Sequence, residues 1–170
     1  APSAAPTEIA ALQKAIDEQA RIVVEKATAA EATVATAESL TGGLIAAMLT
    51  SVPGSSASVR GGIVSYVNEV KAELLGVSED VLARQGAVDE LVALQMARGA
   101  LRELGSDVSV AVTGIAGPAG AEPGKPVGTV YLAGADTRTN TGYLMRLTLG
   151  GYQDRAIIRT RAALYALDML

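Results

Sequence analysis

Histidine and cysteine are both missing from this 170-residue chain, and the two gaps exclude more chemistry than any single motif supplies. Without cysteine there are no disulfides, thiolate nucleophiles or zinc–thiolate sites. Without histidine no Ser-His-Asp triad, imidazole base or imidazole metal ligand can form within the chain. Acyl chemistry would have to take its base from lysine, tyrosine or a carboxylate, and lysine occurs only as Lys14, Lys26, Lys71 and Lys125. The carboxylates show no metal-ligand spacing, so neither a metal nor another cofactor is called for. No apolar run approaches the length of a membrane span. The formal net charge of −4 argues against a nucleic-acid groove and against an anionic membrane surface. The opening Ala1-Pro2-Ser3-Ala4-Ala5-Pro6 lacks the charged and apolar regions of a signal peptide, which leads to the expectation of a cytoplasmic protein.

What is present is an ordinary globular balance, 49% hydrophobic and 19% charged, over a length that suits one domain with a substantial core. That domain is expected to take in residues 1–170, with 1–7 flexible. The chain is organised around Thr33-Val34-Ala35-Thr36-Ala37-Glu38-Ser39-Leu40-Thr41-Gly42-Gly43. It reads as a β-branched strand, a sharp turn and then an apolar helix over about Leu44 to Leu49. Such a turn would set Ser39 beside the free N–H groups and positive dipole end of a helix, which favours developing negative charge. Gly42 and Gly43 would let a ligand approach the backbone. The same residues also fit a plain helix capped by Ser39 or Thr41.

Residues 7–30 carry Ile9, Leu12, Ile16, Ala20 and Val23 at helical spacing. Ile63 to Val67 reads as a strand. Asn68 is placed to cap a helix through Lys71 to Gly76, with Lys71 in its first turn. Ser78 and Asp89 look like caps of two further helices, the second presenting Leu91, Leu94, Ala97, Leu101 and Leu104 on one face. A strand at Val108 to Val112 runs into the Gly-rich loop Thr113-Gly114-Ile115-Ala116-Gly117-Pro118-Ala119-Gly120, a common setting for a ligand site. Strands at 129–133 and 142–149 follow, then a helix over about 153–169 with Ile157, Leu164 and Leu167 inward. This order predicts an α/β protein: a three-layer α/β/α domain with a mixed, mostly parallel sheet and an antiparallel edge strand. Glu38–Gly43, Tyr66–Lys71 and Thr113–Gly120 would then converge at strand ends.

With those loops in place, the sequence resembles the C-terminal domain of the competence/damage-inducible protein CinA, a family whose stand-alone members include nicotinamide mononucleotide amidohydrolases. The resemblance rests on Ala37–Gly43, Pro53-Gly54-Ser55-Ser56, Gly61–Lys71, Leu75-Gly76-Val77, Gly86-Ala87-Val88, Thr113–Pro118 and Lys125-Pro126-Val127-Gly128, in order, within residues 8–170. It implies hydrolysis of the carboxamide of nicotinamide mononucleotide to nicotinate mononucleotide and ammonia, a step of pyridine nucleotide salvage. It implies Ser39 as nucleophile, Tyr66 and Lys71 as the other catalytic side chains, and Thr113, Gly114, Ile115, Ala116 and Gly117 as part of the nucleotide pocket.

The residues agree with that chemistry. In a histidine-free chain, a Ser/Lys pairing is the remaining way to activate a hydroxyl. A lysine must lose roughly 3 units of pKa, about 4 kcal/mol, to act as a base near neutrality, and burial at a helix N-terminus pushes that way. N–H groups around Thr41, Gly42 and Gly43 would hold the oxyanion, and Tyr66 with Lys71 would handle the protons. Glu38 either serves the site directly or satisfies backbone donors at the turn. Asn68 reads as a cap or a ligand contact. Arg155 reads as a phosphate ligand or a surface arginine.

Departures from the family pattern are Leu40 in place of a frequent Cys, Asp89 for a common serine, Ala121 for a frequent glycine, and Gly150-Gly151-Tyr152-Gln153-Asp154-Arg155 where Phe-x-Gly-Asp-Arg is usual. The expected partner is the small nucleotide, with no nucleic acid or membrane, and Ala-rich helix faces would suit a homo-oligomer. Two other functions compete. One is a non-catalytic nucleotide-binding or regulatory domain; the other is a partner-binding module whose Gly-rich loops are only turns.

Overall fold

The computed structural model describes residues 6–150 and 154–170. The elements run α1 (Pro6–Ala29), β1 (Val34–Glu38), α2 (Leu44–Thr50), β2 (Val59–Val64), α3 (Asn68–Leu75), α4 (Glu79–Gln85), α5 (Glu90–Leu104), β3 (Val108–Gly114), β4 (Thr129–Asp136), β5 (Thr141–Thr148) and α6 (Arg155–Met169), with one 3-10 turn at Ser55–Ala57. Five strands form one sheet in the order β2-β1-β3-β4-β5. β1 pairs in parallel with β2 and with β3, whereas β4 pairs antiparallel with both β3 and β5. The mixed, mostly parallel α/β/α sandwich therefore holds. Its reversed strand is β4, one place in from the edge strand β5.

Alternation along the strands sets the two faces of the sheet. Val34, Val110, Val112, Val130 and Leu132 pack with α1, α2 and α6. Ala35, Ala37, Ala111, Ala133 and Ala135 face the other way, onto the layer that holds α5. Small side chains on both sides bring α5 close to the sheet, and α3 reaches α5 at Gly99, where a Cβ would lie 2.2 Å from the Leu75 carbonyl oxygen. On α3 that tight seat buries Leu75 at its far end, and Lys71 in its first turn is buried as well. Among the described residues no helix is long and apolar enough to cross a membrane.

Several boundaries differ from expectation, each for a physical reason. Pro6 and Thr7, expected to be flexible, open α1, where proline's fixed φ and missing N–H suit a first helical turn. Residues 1–5 lie outside the described residues. Ile9 is exposed, because the buried stripe of α1 begins at Ile16. β2 starts earlier, at Val59, and includes both glycines; a Cβ on Gly62 would lie 2.3 Å from Thr36 Oγ1. Asn68 does not cap α3. It is the helix's first residue, and Val67 holds the extended cap conformation without a side-chain bond. Ser78 and Asp89 do cap α4 and α5, through bonds to Val81 N and Leu91 N. Leu91 is exposed; the inward face of α5 is instead Val92, Ala93, Met96, Ala97 and Ala100. α6 begins at Arg155 after a cap by Asp154 Oδ1, which accepts from Ala156 N.

Candidate active site

β2, β1 and β3 are parallel neighbours, so the segments that follow them leave the sheet at one edge, the carboxyl edge where ligands bind in open α/β sheets. Ser39 stands at the tip of β1, its N–H still bonded to the Val112 carbonyl at 3.0 Å. Ser65 and Tyr66 follow β2, and Ile115 to Gly120 follow β3. Between them lies a cleft of about 330 Å³ lined by Ser39, Leu40, Tyr66, Lys71, Ala87, Val88, Thr113, Gly114 to Gly117, Ala119, Gly120, Glu122 and Arg155. Volume alone does not distinguish it: a groove beside α3 and α4, lined by Asn68 and Glu69 among others, has about 270 Å³. The cleft is singled out by the chemistry on its floor.

That chemistry is the contact between Lys71 and Ser39. Lys71 is 1% exposed, and its Nζ lies 3.0 Å from Ser39 Oγ, 2.7 Å from the Ser65 carbonyl and 3.1 Å from the Tyr66 carbonyl. No carboxylate pairs with this amine among the described residues. Burial alone pushes its pKa down from 10.5 to about 8. As an ammonium, Lys71 donates to all three oxygens. As a neutral amine, it donates to the two carbonyls and keeps its lone pair for the Ser39 hydroxyl. In the neutral form this geometry leaves the amine lone pair within hydrogen-bond reach of the Ser39 hydroxyl.

Glu38 takes the second of its two expected positions. It is fully buried, and it does not line the cleft. One carboxyl oxygen accepts from Ile45 N at 2.9 Å, the other from Ala46 N at 3.0 Å and from Thr36 Oγ1 at 3.1 Å. Leu44 N is spent on the Thr41 carbonyl and Gly42 N on the Ser39 carbonyl. The α2 N-terminus is therefore closed by its own turn and by Glu38, not open to a ligand. Thr41, Gly42 and Gly43 also fall outside the cleft lining. Leu40 does line it, and its N–H, next to Ser39, has no acceptor among the described residues.

The remaining candidates divide as follows. Thr113 is buried on the cleft floor and donates to the Ala87 carbonyl at 2.8 Å, tying β3 to the segment before α5. Gly114, Ile115, Ala116 and Gly117 form one wall. Arg155 spans the mouth, donating to the Gly117 carbonyl at 2.7 Å and to Tyr66 Oη at 3.1 Å. Tyr66 is 60% exposed, and its hydroxyl meets Arg155 while only its carbonyl touches Lys71. Asn68 lines the neighbouring groove instead. Gly151, Tyr152 and Gln153 lie outside the described residues.

Four neighbours were not singled out by sequence. Glu122 lines the cleft from the turn Glu122-Pro123-Gly124-Lys125, which Lys125 anchors by donating to the Gln85 carbonyl at 2.7 Å. Ala87 and Val88 were legible only as part of a matching segment. Arg159, one turn beyond Arg155 on α6, donates to the carbonyls of Leu40 at 2.8 Å and Thr41 at 3.1 Å. The four-residue spacing of two arginines on one helix face was the available signal.

Comparison with known proteins agrees with this architecture. A family model described as CinA C-terminal domain matches residues 16–170. The nicotinamide-nucleotide amidohydrolase PncC of Escherichia coli K12 is 48% identical over 139 residues, 82% of either chain. A CinA-like protein of Geobacter metallireducens is 52% identical over 140 residues, 81% of this chain but 32% of its own. The chain spans about a third of the length of such CinA-like relatives. Among solved structures, the competence/damage inducible protein CihA of Agrobacterium tumefaciens superposes with a TM-score of 0.88 at 44% identity, covering 91% of this chain and 93% of that one. A CinA superfamily protein of Escherichia coli gives 0.85 at 32% identity, covering 90% and 87%.

Proposed function

The chain belongs to the CinA C-terminal domain family, and from that premise we propose that it hydrolyses the carboxamide of nicotinamide mononucleotide, with residues 16–170 acting as one amidohydrolase domain. The observation that carries the reading is the buried Lys71 amine 3.0 Å from Ser39 Oγ in a chain with no histidine. The relative named for this reaction, which matches over most of both chains, supports the choice of substrate.

Ser39 Oγ attacks the carboxamide carbon as its proton passes to neutral Lys71, giving a tetrahedral intermediate. The N–H of Leu40, a cleft-lining residue whose amide has no acceptor among the described residues, suits the developing oxyanion better than the amides at Thr41 to Gly43, which are bonded within the turn or lie outside the cleft. Lys71 returns its proton to the departing nitrogen, the C–N bond breaks, and ammonia leaves an ester on Ser39. Water attacks that ester with Lys71 again taking the proton; the Ser39 hydroxyl is restored and nicotinate mononucleotide is released. Arg155 supplies a fork for the phosphate at the mouth. Tyr66 and the Thr113–Gly117 wall frame the ring and ribose.

Incubation of the purified protein with nicotinamide mononucleotide, with ammonia and nicotinate mononucleotide followed together, tests the proposal. Stoichiometric release of both supports it. Saturable binding without release would replace it with a nucleotide-binding domain, and neither binding nor release would remove the substrate altogether.

A further inference from the structure

Resting on the amidase reading of the same cleft, we propose that Arg159 is the positioning residue of the nucleophile turn: it sets the orientation of Ser39 and of the adjoining amides without touching substrate. Arg159 reaches from α6 to the far side of residues 39–42 and donates Nε to the Leu40 carbonyl at 2.8 Å and Nη2 to the Thr41 carbonyl at 3.1 Å. It does not line the cleft. No carboxylate lies within ion-pair distance of it among the described residues, so this partly buried cation is committed to two backbone oxygens.

The peptide unit is planar and trans, with C=O and N–H pointing in opposite directions. Holding the Leu40 and Thr41 carbonyls toward α6 therefore turns the N–H groups of Thr41 and Gly42 away from it. Gly42 N–H closes the turn on the Ser39 carbonyl at 3.0 Å, which in turn fixes the Ser39–Leu40 peptide and the direction of the Leu40 N–H. The guanidinium fork is rigid, so both carbonyls are held at once. Gly42 completes the fit. It lies at φ +61°, and a Cβ there would come within 3.3 Å of Arg159 Nη2, so a side chain at this position would press on the fork. Glu38 braces the other end of the turn through Ile45 N and Ala46 N. Ser39 is thus clamped from α6 and from the strand beneath it.

The proposal is tested with Arg159→Met and Arg159→Lys, each first checked for a wild-type circular dichroism spectrum and melting profile. Three quantities are measured: kcat and KM for nicotinamide mononucleotide, the Kd of nicotinate mononucleotide, and the Kd of pyridine-3-boronic acid. The boronic acid probes the turn alone, because its boron accepts Ser39 Oγ, the serine proton passes to Lys71, and a boron-bound oxygen occupies the oxyanion position. Arg159→Met is expected to lower kcat and weaken the boronate at least tenfold, with KM and the nucleotide Kd within twofold of wild type. Arg159→Lys, which can reach one carbonyl, is expected to recover part of both losses. Unchanged kcat and boronate affinity in a folded Arg159→Met would overturn the proposal. So would equal losses in KM and nucleotide Kd, which would make Arg159 a ligand contact. If wild type binds the boronate on Ser39 yet leaves the nucleotide intact, the substrate reading fails while the boronate comparison still decides Arg159. Absence of both in wild type overturns the two together.

Discussion

Lys71 Nζ stands 3.0 Å from Ser39 Oγ, with its other two hydrogen-bonding directions taken by the carbonyls of Ser65 and Tyr66. Those carbonyls fix the amine in space, and burial sets its proton affinity. Sequence brings the two residues no closer than 32 positions; the parallel pairing of β1 with β2 and the seat of α3 on α5 join them.

Activity is expected to follow the protonation of Lys71. With a pKa near 8, kcat/KM should fall tenfold per pH unit below that value and level off above it. A profile from pH 6 to 10 checks this; a flat line across pH 8 would remove Lys71 as the base. Lys71→Arg should not recover activity, because a guanidinium keeps its proton.

The same shift predicts a stability signature. The folded pKa of Lys71 lies below its unfolded value, so the unfolded state binds more protons between pH 8 and 10.5, and the burial cost is relieved as pH rises through that window. A drop from 10.5 to about 8 corresponds to about 3 kcal/mol, borne in full below pH 8. The stability of Lys71→Met relative to wild type should therefore decline by up to that amount between pH 7 and 10.5 in urea titrations. A constant difference would mean that Lys71 titrates normally.

Glu38 is expected to matter for the frame of the site. Glu38→Ala removes bonds to Ile45 N, Ala46 N and Thr36 Oγ1 in a fully buried setting, a loss of about 3 kcal/mol or more. Glu38→Gln should also destabilise, since its NH₂ would face backbone N–H groups that need an acceptor. A melting temperature unchanged in both variants would contradict the role assigned here.

Much of this was legible beforehand. The strand–turn–helix at residues 33–49, the convergence of three loops and the burial needed of Lys71 all follow from periodicity, from glycine placement and from the lack of histidine. Glu38 was not settled because a carboxylate two residues past Thr36 can face solvent or fold back, and only the position of the α2 amides decides. Asn68 misled because an N-cap residue and a first helical residue differ by one position. Arg159 could be marked by its four-residue spacing from Arg155, but its partners could not, since they lie 119 and 118 residues away.

Tyr66 separates two versions of the chemistry. Its hydroxyl is bonded to Arg155, not to Ser39 or Lys71, so Tyr66→Phe should change kcat less than tenfold. Arg155→Ala should raise KM for the phosphorylated substrate well above any change for its unphosphorylated nucleoside. A loss of a thousandfold in kcat for Tyr66→Phe would restore the tyrosine to the proton path expected from the sequence.

The central claim is that Ser39 is the nucleophile. Ammonia release from nicotinamide mononucleotide by Ser39→Ala, measured beside wild type at pH 9 where Lys71 is mostly neutral, tests it most directly. The account predicts a loss of about a thousandfold or more, with nucleotide binding retained. Turnover within tenfold of wild type would contradict it and assign the attack to water.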